Sequence, residues 1–311
     1  MRHVPYLLGI AWLAVVSSLS ATYAAEDDKR IDHGRYLVKI GGCNECHTEG
    51  YARTFGKIPE SEWMIGREWG EMGPWGTTFP VNVRLLVSEI NEDGWVARIR
   101  HNTTRPPMPW YNLRDMTDSD LRAMYLFLRS LGPAGKAAPA YLHPGEETKF
   151  PHVQFPADAP RPPRTGRAHS TRINADPDPL VHRGRYLAAV AWCNSCHTEG
   201  YAVEMGNVPE EDWLQGSTLG RNGSWGTTYA TNLRLYMQDL SEEQWIERAR
   251  ALKTRPVMPW FALNEMAEQD LRGIYRYIRS LGPAGAPAPA YVPPDVQPTG
   301  TYVIFPRPAK K

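Results

Sequence analysis

Cysteine is scarce in this chain, at 4 of 311 residues, and phenylalanine is little more common, at 7. All four cysteines fall into two short clusters, so none is left to build a disulfide framework. Neither sign of charge is in excess: 35 Lys and Arg face 34 Asp and Glu, a net charge of +1. The basic surplus of a nucleic-acid protein is missing, and so is a global field that could steer a partner. Long apolar runs are missing too. The stretch Tyr6 to Val16 falls short of the roughly 20 residues a bilayer span needs. It follows Arg2 and His3 and leads to Thr22-Tyr23-Ala24, the pattern of an export signal over residues 1–25. An uncleaved N-terminal anchor is the alternative. A lipoprotein anchor is excluded, since no cysteine follows the apolar run.

What the chain does have is repetition. Cys-X-X-Cys-His occurs at Cys43–His47 and again at Cys193–His197, 150 residues on. Gly34-Arg35-Tyr36-Leu37 recurs from Gly184, Trp75-Gly76-Thr77-Thr78 from Trp225, and Leu131-Gly132-Pro133-Ala134-Gly135 from Leu281, all at the same offset. A period this long, present twice, means tandem domains rather than a solenoid. The expected organisation is a first domain over 26–156, a linker over 157–179 and a second domain over 180–311. The linker holds Arg161, Pro162, Pro163, Arg164, Arg167 and Arg172 and reads as a semi-rigid spacer.

Cys-X-X-Cys-His is a covalent attachment site for c-type haem. Cys43 with Cys46, and Cys193 with Cys196, would form thioethers, and His47 and His197 would ligate iron. A lone Cys-X-X-Cys could instead be a dithiol pair or half a zinc site. Zinc would need further Cys or His at repeated positions, and there are none. Two covalent haems are therefore the expected cofactors.

Each half opens with a helix running into the motif, about Ile31 to Cys43 and Leu180 to Cys193. Pro59 and Pro209 mark short helices, as proline suits a first helical turn. Ser241-Glu242-Glu243-Gln244 is a capping box ahead of Trp245, with a counterpart helix starting near Asn91. The last helices, Asp118 to Leu131 and Glu268 to Leu281, end at Leu-Gly-Pro, a glycine cap and a proline stop. Proline-rich tails follow over Pro139 to Pro156 and Pro289 to Pro306, expected to dock as extended segments on their own domains. No strand-rich region is legible. The expected fold is all-α, with long loops packed on the porphyrin.

What lies opposite each histidine decides between electron transfer and small-ligand chemistry. None of the seven other histidines, and no lysine, has a like residue at the 150-residue offset. Two methionine pairs do: Met108 with Met258, and Met116 with Met266. Met116 precedes a helix with Thr117 as N-cap and Leu121 at N4, the setting of a hydrophobic staple. Met108 and Met258 lie in Pro-Pro-Met-Pro-Trp and Pro-Val-Met-Pro-Trp, where proline stiffens the loop. These two are the expected axial ligands.

Each half resembles a class I cytochrome c domain, in its Gly-X-Tyr helix before Cys-X-X-Cys-His, its Met-Pro loop and its closing helix with a tyrosine. It is most similar to the cytochrome domains that serve bacterial periplasmic dehydrogenases. In those, a Thr-Asn-containing loop, a Trp-bearing helix and a Met-Pro segment follow the haem motif in this order. Here these are Thr77 to Arg84, Trp95 and Met108-Pro109, repeated as Thr227 to Arg234, Trp245 and Met258-Pro259. The likeness covers nearly all of 31–156 and 180–306. It implies two class I domains with His/Met haems and a periplasmic electron carrier, not an enzyme. The partners it implies are a dehydrogenase or quinol-linked donor and a downstream acceptor. Arg84 and Arg234 could pair with the anionic haem propionates, and Asn82 and Asn232 could donate to the same groups, since both sets lie in the loop where the family wraps the haem; ordinary surface pairing is the alternative. Trp75 and Trp225 are similar candidates, with core packing as the equal rival. The related subunits often carry three domains rather than two. Two rivals stand beside the carrier: a fixed subunit of a membrane-bound dehydrogenase, and a diheme peroxidase or thiosulfate-oxidising enzyme. A peroxidase needs an open iron, and a thiosulfate enzyme a free cysteine.

Overall fold

The structure is a computed structural model that describes residues 25–101, 103–157 and 177–306. The expected export signal and most of the expected linker lie outside these residues. The first half contains α1 (residues 25–40), α2 (Cys43–His47), β1 (Gly70–Gly73), β2 (Gly76–Thr78), α3 (Val83–Ser88), α4 (Glu92–His101), α5 (Trp110–Arg114), α6 (Asp118–Ser130) and β3 (His152–Gln154). The second half repeats them as α7 (Pro179–Val190), α8 (Cys193–His197), β4 (Gly220–Gly223), β5 (Gly226–Thr228), α9 (Leu233–Tyr236), α10 (Glu242–Ala251), α11 (Trp260–Asn264), α12 (Glu268–Ser280) and β6 (Tyr302–Ile304). Single 3₁₀ turns at Glu60–Glu62 and Glu210–Asp212 follow Pro59 and Pro209.

The helix signals translate into caps. Thr117 accepts from the Asp120 N–H at 3.1 Å, Asp178 caps α7, and Ser241 with Gln244 forms the full capping box of α10. Gly132 and Gly282 stand at φ 68° just past α6 and α12, where the chain must turn left-handed. The first and last helices of each half cross at glycine. A Cβ on Gly34 would lie 2.0 Å from the Ala123 carbonyl oxygen, and one on Gly184 1.9 Å from that of Gly273. Glycine in the repeated Gly-Arg-Tyr therefore brings two helix backbones into direct contact.

The all-α expectation is wrong. The structure is α/β, with one six-stranded mixed sheet in the order β2-β1-β3-β6-β4-β5. β1 pairs antiparallel with β2 and parallel with β3 from the proline-rich tail, and β4 does the same with β5 and β6. Gln154 opposite Ile304 joins the two tail strands antiparallel and makes the sheet continuous across the halves. These strands were illegible because they are three or four residues long. Gly-Glu-Met-Gly and Gly-Thr-Thr carry no alternating apolar pattern, and β3 finds its partner some eighty residues earlier in the chain.

The halves meet through reciprocal contacts, each made twice. Tyr36 Oη donates to Asp270 at 2.6 Å and accepts from the Ala267 N–H at 3.0 Å, at the start of α12. Tyr186 does the same at the start of α6, with Asp120 and with the Thr117 N–H at 3.2 Å. Tyr51 packs on Phe261 and Tyr111 on Tyr201, each at 5.7 Å between ring centroids. The buried apolar residues form one cluster that runs through both halves.

Candidate functional site

α2 is a single helical turn that aims three side chains of Cys43–His47 at one cavity. Its start is fixed by Gly42 at φ 66°. Thr48 Oγ1 closes the turn by donating to Asn44 Oδ1 at 2.7 Å, and accepts from the Met64 N–H at 2.9 Å. α8 repeats the first bond, Thr198 to Asn194, at 2.8 Å, and Thr198 accepts from Leu214 N–H. His47 Nδ1 lies 2.8 Å from the Val81 carbonyl oxygen, and His197 Nδ1 lies 2.8 Å from that of Thr231. A carbonyl only accepts, so Nδ1 carries the proton and Nε2 keeps its lone pair for a metal. Burial pushes both imidazoles down to about 4, which holds them neutral.

Cys43, Cys46 and His47 lie on the cavity wall together with Met108 and Pro109 of the proline-stiffened loop. Its remaining wall is mostly apolar, including Met64, Val83, Trp95, Met124 and Leu128. Trp95 is anchored by its Nε1–H, which donates to the Leu121 carbonyl at 3.0 Å, as Trp245 does to Leu271 at 2.9 Å. Thr78 Oγ1 donates to the Pro106 carbonyl at 2.7 Å, and Thr228 to that of Pro256 at 2.7 Å, tying down the two methionine loops. Met116 and Met266 are each 3 % exposed, sit in the apolar cluster at the starts of α6 and α12, and Met116 is not on the cavity wall.

A covalent haem suits this donor set. Burial pushes the Cys43, Cys46 and Cys193 thiols up to about 12, the reverse of the depressed value a dithiol redox centre needs. Among the described residues no three His, Cys, Asp or Glu side chains are placed to hold a metal ion together. The residues that would hold haem are the cysteines through thioethers, histidine Nε2, and Met108 from the loop.

The expected propionate residues are engaged elsewhere. The Arg84 guanidinium is buried and donates to the carbonyls of Gly132 at 2.6 Å, Ser61 at 2.7 Å and Leu131. Arg234 repeats this on Gly282 at 2.7 Å, Glu211 at 2.5 Å and Leu281. Asn82 caps α3 through Leu85 N–H and donates to Ala134 and Lys136, and Asn232 to Ala284 and Ala286. These side chains satisfy the orphan carbonyls at the ends of α6 and α12 and the turns beyond, a local demand the motif spacing conceals. Trp75 and Trp225 are half-buried, outside the apolar cluster, and pack against Phe155 and Phe305 of the tails. Tyr141 Oη donates to the Trp75 carbonyl at 2.5 Å and Tyr291 to that of Trp225 at 2.8 Å, docking the tails as expected.

Among the wall residues that sequence reading missed, one comes from the other half's attachment segment. Trp192 of the second half lines the first half's cavity. It stands at the position equivalent to Gly42, in the same left-handed backbone, φ 68°. A bulky residue there costs about 1–3 kcal/mol. The signal was in the repeat itself, where glycine in one copy faces tryptophan in the other.

No family model matches the chain. It is 24 % identical over 314 residues to the gluconate 2-dehydrogenase cytochrome c subunit of Pantoea cypripedii, covering 90 % of this chain and 67 % of that one. It is 22 % identical over 298 residues to the alcohol dehydrogenase (quinone) cytochrome c subunit of Gluconobacter oxydans, covering 85 % and 57 %. The fructose dehydrogenase cytochrome subunit of Gluconobacter japonicus matches at 29 % over 123 residues, 36 % of this chain and 23 % of that one. The chain is thus a homologue of cytochrome c subunits, the electron-transfer class. More particularly, its relatives are the cytochrome subunits of bacterial dehydrogenases, and it spans about two thirds of the first and less of the others.

Proposed function

We propose that this chain carries two covalent haem c groups and serves as the electron-accepting cytochrome of a bacterial dehydrogenase, passing electrons to a downstream acceptor in the periplasm. The observation that carries the reading is the convergence of Cys43, Cys46, His47 and Met108 on one apolar cavity. The repeat of the motif turn, the histidine bond and the loop tether supports a second site at Cys193, Cys196, His197 and Met258. Haem held there would supply one-electron chemistry, and a methionine ligand would raise its potential. The protein's part is to hold the imidazole neutral and oriented, to exclude water with Trp95, Met124 and Leu128, and to fix the methionine loop through Thr78 and Thr228.

A subunit bound to a dehydrogenase is favoured over a free shuttle by the names of the relatives. Among the described residues no helix is long and apolar enough to cross a membrane, so attachment would run through a partner or the N-terminal segment. A diheme enzyme would need an open iron. Carbon monoxide added to the dithionite-reduced, fully haem-loaded protein separates these readings. Two filled sixth positions give weak, slow binding and no peroxidase turnover. Rapid stoichiometric binding at either haem overturns the carrier reading.

A further inference from the structure

The two halves repeat each other closely around their haem motifs, yet the residue just before the first cysteine differs. Gly42 and Trp192 share the left-handed backbone that starts the motif turn, φ 66° and 68°. That conformation suits glycine and strains tryptophan. The Trp192 ring lies against Gly42: a Cβ there would be 3.0 Å from its Cδ2 and 3.3 Å from its Cε2. The same ring lies on the wall of the first cavity, beside Cys43, His47 and Met108, with Val190 from the same segment next to it. Its backbone runs directly into Cys193. The two attachment segments therefore touch at this point, with the half-buried indole of Trp192 packed on Gly42.

From this we propose that Trp192 is the contact through which the two haem groups exchange electrons, and the wall that keeps water from the edge of the first. The inference rests on the two-haem reading above. In the exchange step one ferrous haem becomes ferric as the other ferric haem becomes ferrous, with one electron moved and no bond made or broken. Electronic coupling decays steeply across empty or watery gaps, so an indole packed between the two attachment turns is the favoured route. Desolvation disfavours the more highly charged ferric state, so a dry wall also raises the first potential. The equivalent position in the first half, Gly42, carries no side chain to offer in return.

The test uses full-length, haem-loaded protein and two variants, Trp192→Gly, which copies the first half's own residue, and Trp192→Phe, which keeps an aromatic ring. Haem content by pyridine haemochrome comes first. One haem in the unaltered protein would defeat the underlying two-haem reading rather than this one. Exchange is then read by photoreduction of half-reduced protein, and the two midpoints by optical redox titration. Trp192→Gly should slow exchange about tenfold, equal to about 1.4 kcal/mol of barrier. It should also lower the first midpoint by about 59 mV, a tenfold change in a one-electron equilibrium, and leave the second in place. Trp192→Phe should recover most of both effects. Exchange within twofold of the unaltered protein in Trp192→Gly overturns the proposal. Equal loss in both variants, or equal shifts of both midpoints, overturns it too, because that pattern is general loosening. If Trp192→Gly loses a haem, Trp192→Phe against Trp192→Leu decides: similar exchange in the two overturns the aromatic route.

Discussion

Replacing Gly34 by alanine should unseat the first half, and the size of the effect follows from the helix crossing. The new Cβ would sit 2.0 Å from the Ala123 carbonyl oxygen, 2.5 Å from its carbon and 2.9 Å from Phe127 Cβ. Two of these atoms belong to the backbone of α6, so no rotamer change relieves the clash. α1 and α6 must separate by more than 1 Å, which strips contacts from Leu37, Leu121 and Phe127, each fully buried. Overpacking of this kind costs about 1–3 kcal/mol, and a rigid backbone obstacle belongs at the upper end. Alanine returns about 1 kcal/mol of helix propensity. The net expectation is about 1–2 kcal/mol, or roughly 2–8 °C in Tm at about 2–4 °C per kcal/mol for a domain of this size. The assay is thermal unfolding of holoprotein by circular dichroism, with Soret absorbance as a second probe. Gly94→Ala is the control, since its Cβ would meet side-chain atoms rather than backbone, Asn91 Oδ1 at 3.0 Å and Ile90 Cβ at 3.7 Å, and it should cost less than Gly34→Ala. If Gly34→Ala melts at or above the unaltered protein, the helix crossing described here is wrong.

Four further outcomes are expected. Acid–acetone extraction should leave two haems per chain by pyridine haemochrome, and Cys46→Ala or Cys196→Ala should weaken one attachment only. Met108→Ala and Met258→Ala should each remove half of the weak far-red band of ferric methionine ligation. Met116→Ala should keep the band and cost about 2–5 kcal/mol of stability by its cavity. Arg84→Gln should cost about 1–3 kcal/mol by orphaning carbonyls at the end of α6, with both midpoints unmoved, because it braces backbone. Asp120 should make the contact between the halves acid-labile: burial opposes its charge, but the His33 and Tyr186 bonds outweigh burial and hold its carboxyl below the usual range. A depressed carboxylate adds stability that is complete above its unfolded value of about 3.9 and lost as pH falls through the folded one. Acid titration of Tm should therefore show a loss below about pH 4 that Asp120→Asn removes.

The repeat determined much by itself. Covalent chemistry needs its residues at fixed short spacing, so Cys43–His47 and Cys193–His197 announced the chemistry without any fold. Caps are equally local, which is why Thr117, Ser241 and Gly132 could be read directly. The offset of 150 residues narrowed the methionines to two pairs, because a duplicated ligand must duplicate its position, and the flanking prolines favoured Met108 and Met258 over Met116 and Met266. The tertiary structure decided what depends on distant partners. The sheet exists only because a tail strand with one buried valine, Val153, returns to a glycine-bounded hairpin, and no short-range pattern marks such a pairing. Arg84 and Asn82 resembled anion contacts in sequence; only the folded chain shows the carbonyls that occupy them. Tyr36 and Tyr186 each reach the helix start of the other half, a pairing that no local pattern marks. Trp192 was visible as a mismatch in the repeat, but a residue's neighbours across an interface are set by how two surfaces pack, and that information is spread over both halves of the chain.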